Sequence, residues 1–472
     1  MKILKNYFYN MAYQILLLIV PLLTMPYISR TLGPQGLGTY SYTNSIMSYF
    51  VLLGNLGITL YGSRQIAYVQ SDKIERSKLF WEITILKLVT VGFATLMLVL
   101  FLMYYSEYRF LIIAQSLTLI ASAFDVSWYF MGVEDFKKTV LRNILIKIAS
   151  LILIFTLVHS ESDIIIYIVI LSGSTLVGNI MLIPFLIKQI NFFNIKKLNI
   201  WKHLSPVIFL FLPQMATQIY LVVNKTMLGQ MDSIKAVGFF SSSDTLIRLA
   251  LTIVSSLSAV LMPRISNLIA RGEMNKVEKY MGKSFEFINF LSLPIMLGLI
   301  AISPKFIPLF LGENFKVVST LIIIESPVVL LISWSIAITN QYLIPAKMNK
   351  AYINSTVIGA ISNVLINIVM IRFYGVYGAI IATLISEILV MSYLVMIMMK
   401  FLSVKEMIFS NFYKYGIASV IMFLFTIVID KLLSTTIYSV LLEVFLSIMI
   451  YFIALLILKV RLLTNWRHFF DD

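Results

Sequence analysis

Apolar residues run almost unbroken along this chain, in stretches of about 18 or more separated by short polar links. Each stretch is long enough, wound as a helix, to cross a hydrocarbon layer. The runs lack the period-two alternation of a transmembrane barrel. No water-soluble core could hide so much continuous apolar surface. Fourteen spans are predicted, at approximately 6–29, 40–63, 82–104, 108–131, 143–159, 163–187, 204–228, 236–262, 284–303, 317–343, 351–371, 376–399, 414–430 and 436–458, or thirteen where short neighbours run together.

The polar links supply an orientation. With the N-terminus placed in the cytoplasm, about 26 Lys and Arg fall in inside segments and about 7 outside, which is the bias expected of cytoplasmic loops. Both termini are therefore predicted inside. The N-terminal lysines precede a full-length apolar run with no small-residue cleavage site, so the first span reads as an uncleaved anchor. The longest links, near 188–203 and 263–283, read as amphipathic connectors on the inner surface. No link is long enough to fold as a soluble domain, and no GxxxxGK[ST] phosphate loop occurs, so ATP hydrolysis is not expected.

Composition adds exclusions. Of 472 residues 60% are hydrophobic and 12% charged, and there is no cysteine. Disulfides, thiol nucleophiles and zinc fingers are therefore ruled out. The histidines, His159, His203 and His468, are scattered and suggest no metal site. The net charge of +15 follows from the inside loops and does not call for a nucleic-acid partner.

A pattern returns within the chain. Residues 28–46 (ISRTLGPQGLGTYSYTNSI) follow a span bent by Pro21 and Pro26, and the link is expected to turn tightly at its glycines. Residues 224–247 (NKTMLGQMDSIKAVGFFSSSDTLI) follow a span holding Pro206 and Pro213. Both show a cation, Thr, an apolar pair, Gly, a turn and a Ser-rich helix start. Interrupted helices at matching places in two halves point to the moving parts of a transporter. Six spans separate the copies. An even number gives the halves one orientation, related by an axis along the membrane normal.

The segments PLLTMPYISRTLGPQGLGTYSYTNSIMSYF and LGITLYGSRQIA resemble the N-terminal motif of Wzx-type polysaccharide flippases, which belong to the multidrug/oligosaccharidyl-lipid/polysaccharide transporter superfamily. LMPRISNLIARGE and GVYGAIIATLISE are similar to that family more loosely. The resemblance implies an all-α integral membrane protein of about 14 transmembrane helices. Two six-helix lobes, 1–203 and 204–400, are followed by helices 13 and 14 and a tail, 401–472. It further implies alternating-access transfer of an undecaprenyl-diphosphate-linked oligosaccharide from inner to outer leaflet, for capsule, O-antigen or exopolysaccharide assembly. The implied place is the bacterial cytoplasmic membrane, and the implied partners are polysaccharide polymerase and glycosyltransferases. A peptidoglycan-precursor flippase, a multidrug exporter of the same superfamily and a membrane polysaccharide polymerase stand as alternatives.

A diphosphate is naturally held by Arg and Lys, and cations within spans are costly enough to be functional candidates. Arg30 and Lys225, at corresponding repeat positions, are the paired candidates; Arg248 and Arg64 follow. Arg248 has Asp244 four residues earlier on the same face, so the two could simply neutralise each other. Lys87 and Lys147 lie near inner helix ends and read chiefly as snorkelling. Among buried acids, Asp125 and Glu387 are the candidates for coupling to a proton or sodium gradient; no other cofactor is expected. An interhelix bond is the alternative for each. Pro21, Pro26 and Pro213 are the candidate bending points. Asn10 with Gln14, and Gln214 with Gln218, make polar stripes suited to sugar hydroxyls or to helix contacts.

Overall fold

A computed structural model describes residues 2–193, 198–409, 411–460 and 462, without side chains for 2–13, 212–214, 216, 217, 219, 220, 256–260, 405 and 406. The described residues are all-helical, with no strand. They form two compact units, 1–226 and 227–472. The first unit therefore takes in most of the helix that begins at Leu204.

Unit 1 contains α1 (Lys2–Asn55), α2 (Ile58–Tyr68), α3 (Lys73–Tyr104), α4 (Arg109–Ala123), α5 (Ser127–Gly132), α6 (Phe136–Leu157), α7 (Ile164–Ile180) and α8 (Ile183–Ile187), then most of α9 (Leu204–Met231). Unit 2 contains α10 (Ile234–Ala270), α11 (Met274–Leu311), α12 (Lys316–Glu325), α13 (Pro327–Ala337), α14 (Asn349–Met398), α15 (Val404–Phe409), α16 (Phe412–Leu432) and α17 (Ile437–Ile457). Ten helices among the described residues are long and apolar enough to cross a membrane, or eleven if the bent pair Glu313–Glu325 and Pro327–Leu343 is one span. The protein is thus a multi-pass helical membrane protein.

Its surface fits that solvent. Met103 is 68% exposed and Phe110 80%, while Lys87 and Glu82 are buried. Apolar side chains face outward because lipid tails are as apolar as they are, and helices are held by close packing and polar contacts instead. In unit 1 Phe80 stacks on Trp128 at 5.5 Å, beside Tyr129, Ile66 and Ile83. In unit 2 Tyr451 donates to the Phe290 carbonyl at 2.8 Å, among Tyr415, Met422 and Leu455.

Two long helices are broken where the sequence places boundaries between spans. In α1 Gly33 has φ 64° and ψ −178°, a region essentially open only to glycine. Pro34 explains the break: it disfavours helical backbone at the residue before it, yet suits the first turn of the next helix. The expected tight turn is consequently confined to one residue, and Gly36 and Gly38 are helical. In α14 the corresponding break is Gly375, φ 54°. The second repeat copy breaks between α9 and α10, where Ser233 caps the new helix by accepting from Ala236 N at 3.2 Å. The proposed connector at 263–283 does not exist as such: α10 runs on to Ala270 and α11 starts at Met274, because Arg271, Gly272 and Glu273 suffice for the turn.

The link after α8 is strapped onto α3. Ser77 Oγ accepts from Asn191 N at 2.9 Å, and Trp81 Nε1 donates to the Asn191 carbonyl at 3.0 Å. Buried Glu82 accepts from Asn199 N at 2.9 Å, from Lys202 Nζ at 2.8 Å and from His203 Nε2 at 2.9 Å. His203 Nδ1 lies 2.7 Å from the Tyr61 hydroxyl. A neutral imidazole protonated on Nε2 satisfies both contacts, donating to Glu82 and accepting from Tyr61. Burial lowers the His203 pKa below its ordinary value of about 6.5, against the opposing pull of Glu82. The unfolded chain therefore binds the proton more readily. Stability from this strap is full above pH about 6.5 and falls as pH drops through the lowered value. The protection factor of the Asn199 amide, the exchange rate corrected for its intrinsic pH dependence, should fall on acidification in the wild type, and that fall should vanish in His203→Gln; equal pH dependence in both would remove His203 from this role.

Candidate functional site

The sequence-selected residues occupy several places. Arg30 is exposed, on the segment of α1 just before the Gly33 break, and Lys225 is half-buried near the end of α9. Beside it Thr226 Oγ1 lies 3.0 Å from Ser45 Oγ and 3.2 Å from the Tyr49 hydroxyl, tying that end of α9 to the second half of α1. Arg64 is exposed on α2 and lies over the Tyr68 ring at 5.8 Å. Arg248, 46% exposed, pairs with Asp244 at 2.8 Å across one helical turn. Glu387 is buried on α14. Pro21 and Pro26 are half-buried within α1, whose non-helical residue is Gly33. The break in helical backbone at Gly33 lies downstream of both prolines. Pro213 lies within α9, but its side chain, like those of Asn10 and Gln214, is outside the described residues.

Asp125 leads to a chamber. It sits at the break between α4 and α5, where its Oδ1 accepts from Ser127 N at 3.0 Å. Lys87, 1% exposed on α3, donates to the Asp125 carbonyl at 2.8 Å, and its Nζ stands 3.7 Å from Oδ2. Lys87 thus does not snorkel; it is the buried counter-charge of Asp125. Asp125, but not Lys87, lines a polar cavity of about 330 Å³ within unit 1.

Three helices wall it, each with a polar stripe at helical spacing. Thr118, Ser122 and Asp125 come from α4 and its end. Arg142, Asn143 and Lys147 come from α6, and Thr175, Gly178 and Asn179 from α7. Asn179 fixes the corner: its Nδ2 donates to the Ala121 carbonyl at 2.7 Å and its Oδ1 accepts from Arg142 Nη1 at 2.5 Å. Gly178 permits this approach, since a Cβ there would stand 3.1 Å from Ile146 Cγ1 and 3.2 Å from Arg142 Cδ. Asn55, from the end of α1, also lines the chamber, and its Oδ1 is buried with no hydrogen-bond partner among the described residues. Among the described residues no acid other than Asp125 lines the chamber.

Sequence reasoning found Asp125 and weighed Lys87 and Lys147 singly. It missed Arg142, Asn143 and Asn179. The signal was present: RNxxxK and STxxGN each put polar residues on one face of an otherwise apolar helix. Unit 2 holds a further buried acid, Glu325, at the break between α12 and α13, where it accepts from Ser243 Oγ at 2.5 Å.

Two helical units with membrane-length spans, one of them enclosing a polar chamber, define the class as a multi-pass helical membrane protein with a polar interior site. Among solved structures it is similar to "Lipid II flippase MurJ, inward closed conformation", at TM-score 0.70 and 19% identity, covering 96% of this chain and 98% of that one. It is also similar to a multidrug resistance MATE family transporter of the MOP superfamily in its inward-facing conformation, at TM-score 0.63 and 15% identity over 85% and 95% of the chains. At such identities the likeness concerns the fold. Residues 3–269 match the family described as polysaccharide biosynthesis protein, and the chain belongs to that family. A relative from Escherichia coli (strain K12), named "Putative O-antigen transporter", is 24% identical over 385 residues, covering 80% of this chain and 92% of the relative.

Proposed function

We propose that the protein is a flippase that carries a lipid-linked oligosaccharide, built on a polyprenyl diphosphate, from the inner to the outer leaflet of the bacterial cytoplasmic membrane. The observation that carries this reading is family membership, together with a similarity spanning nearly the whole of a relative named for O-antigen transport. The excess of Lys and Arg in alternate links supports cytoplasmic termini. The protein acts as a carrier: the head group moves while its bonds stay intact. Polymerase and glycosyltransferases are its proposed partners, and capsule, O-antigen or another exopolysaccharide its proposed end product. Arg30, Lys225, Arg248 and Arg64 are proposed to meet the diphosphate on its path, and Pro21, Pro26 and Pro213 to ease the bending of their helices.

The deciding experiment is transport of a defined lipid-linked oligosaccharide in proteoliposomes. Flux above that of empty liposomes is expected; its absence with correctly inserted protein overturns the reading. An imposed proton or sodium gradient is expected to accelerate flux through Asp125 and Glu387. Glu387→Gln, which removes a buried ionisable group while keeping its shape, should leave basal flux and abolish the response to the gradient. An unchanged response would remove Glu387 from coupling.

A further inference from the structure

We infer that the chamber of unit 1 is a binding site for a phosphate-bearing anion, with Arg142 and Lys147 as its charged ligands. The inference rests on the reading above only for the natural ligand; the site itself follows from charge balance. The chamber lining holds two cations and one acid. That acid is already compensated, because Asp125 gives one oxygen to Ser127 N and has the buried Lys87 ammonium beside the other. The charge of Asp125 is answered chiefly by Lys87, from outside the lining, and in part by Arg142, so the described lining keeps an excess of positive charge, with Lys147 contributing a cation that Asp125 does not engage.

Lys147 is half-buried and has no acid within ion-pair distance among the described residues. An ammonium held in a membrane-spanning helix without a counter-ion is costly. A bound anion removes that cost, and an anion with several oxygens removes most. Arg142 is held in place by Asn179, itself anchored on the Ala121 carbonyl, so its guanidinium is presented without further ordering. Lys147 follows Arg142 by five residues and Asn143 by four on the same helix, so cations and amide share a wall. The amide of Asn55 faces the same space and, turned either way, offers a donor or an acceptor. Phosphate oxygens match donors of this kind, and guanidinium is suited to binding them in pairs. A site for organic cations would have the reverse composition, with acids in excess. The chamber volume, about 330 Å³, is ample for a diphosphate.

The anion could come from a lipid headgroup or from solution, and the test separates the two. Full-length protein in phosphatidylcholine nanodiscs is titrated with inorganic pyrophosphate by calorimetry. Binding is expected in the wild type, with about tenfold weaker affinity in Arg142→Gln and in Lys147→Gln, each variant having lost one charge-assisted contact. Lys400→Gln, at an exposed site outside the chamber, should match wild type. Adding phosphatidylglycerol to the nanodiscs assigns the site to lipid headgroups if it displaces pyrophosphate, and to soluble phosphate if it does not. Should a variant fail to fold, the wild type alone decides: pyrophosphate should slow acetylation of Lys147, read by mass spectrometry, and leave Lys400 unchanged. No binding, equal affinity in all variants, or no protection of Lys147 overturns the inference. Because the readout is binding, its failure alongside intact oligosaccharide flux would strike the site and spare the flippase reading.

Discussion

Lys87→Met should destabilise the protein by about 3 kcal/mol, and adding Asp125→Asn should restore most of that loss. The single change leaves the Asp125 carboxylate without the ammonium that stands 3.7 Å from it. Removing one partner of a buried pair typically costs about 3–5 kcal/mol, because an uncompensated charge stays behind in a poor solvent. The low end applies here, since 22% of the Asp125 side chain is exposed. The second change removes that charge, while its carbonyl still loses the hydrogen bond from Lys87. Recovery should therefore be large but incomplete. The measurement is the midpoint of heat-induced loss of the monodisperse peak in detergent, across the four members of the cycle. Additive effects of the two substitutions would mean that the pair does not couple.

The consequence reaches the chamber. Asp125 was chosen from the sequence as an isolated intramembrane acid, and such an acid is a natural ion carrier. Paired with Lys87 it becomes part of a balanced floor, and any proton or sodium ion that binds there competes with an ammonium already in place. A coupling role for Asp125 thus requires Lys87 to yield. Heating curves of the cycle and gradient-driven flux of the same variants address the two halves of that statement.

What the sequence made legible was whatever depends on periodicity or local chemistry. Membrane residence, helicity and the boundary near Gly33 follow from apolar run length and from the effect of Pro34 on the residue before it. The extent of the break was not legible, because Gly36 and Gly38 tolerate helix as well as turn and only tertiary packing decides between them. Lys87 was misread for a related reason. Its distance along α3 from the inner end is compatible with snorkelling, and nothing local announces that the α4–α5 break brings Asp125 to it from 38 residues away. Asn179 escaped notice because one amide on an apolar helix is ordinary; its importance lies in the Ala121 carbonyl and the Arg142 guanidinium that it joins.

The combined substitution Arg30→Ala and Lys225→Ala should reduce oligosaccharide flux by about 100-fold, while the protein still inserts and purifies normally. Neither residue is deeply buried, Arg30 being exposed on α1 and Lys225 half-buried on α9, so truncation leaves no sizeable void. A flippase must replace the hydration of a diphosphate with fixed donors along its route, and each charge-assisted bond is worth about 1.5–3 kcal/mol. Two bonds at the low end, about 3 kcal/mol, correspond to about two orders of magnitude in rate or affinity. The positions also have a structural logic. Arg30 is three residues ahead of the Gly33 break, and Lys225 adjoins Thr226, which ties α9 to the second half of α1. A change in bend at Gly33 would therefore carry the two cations differently, as alternating access requires. Arg30→Lys should keep most of the flux if charge is what matters, and lose it if paired guanidinium donors are needed. Wild-type flux in the double alanine variant would remove both residues from the substrate path and leave the chamber of unit 1 as the place where the anion is met.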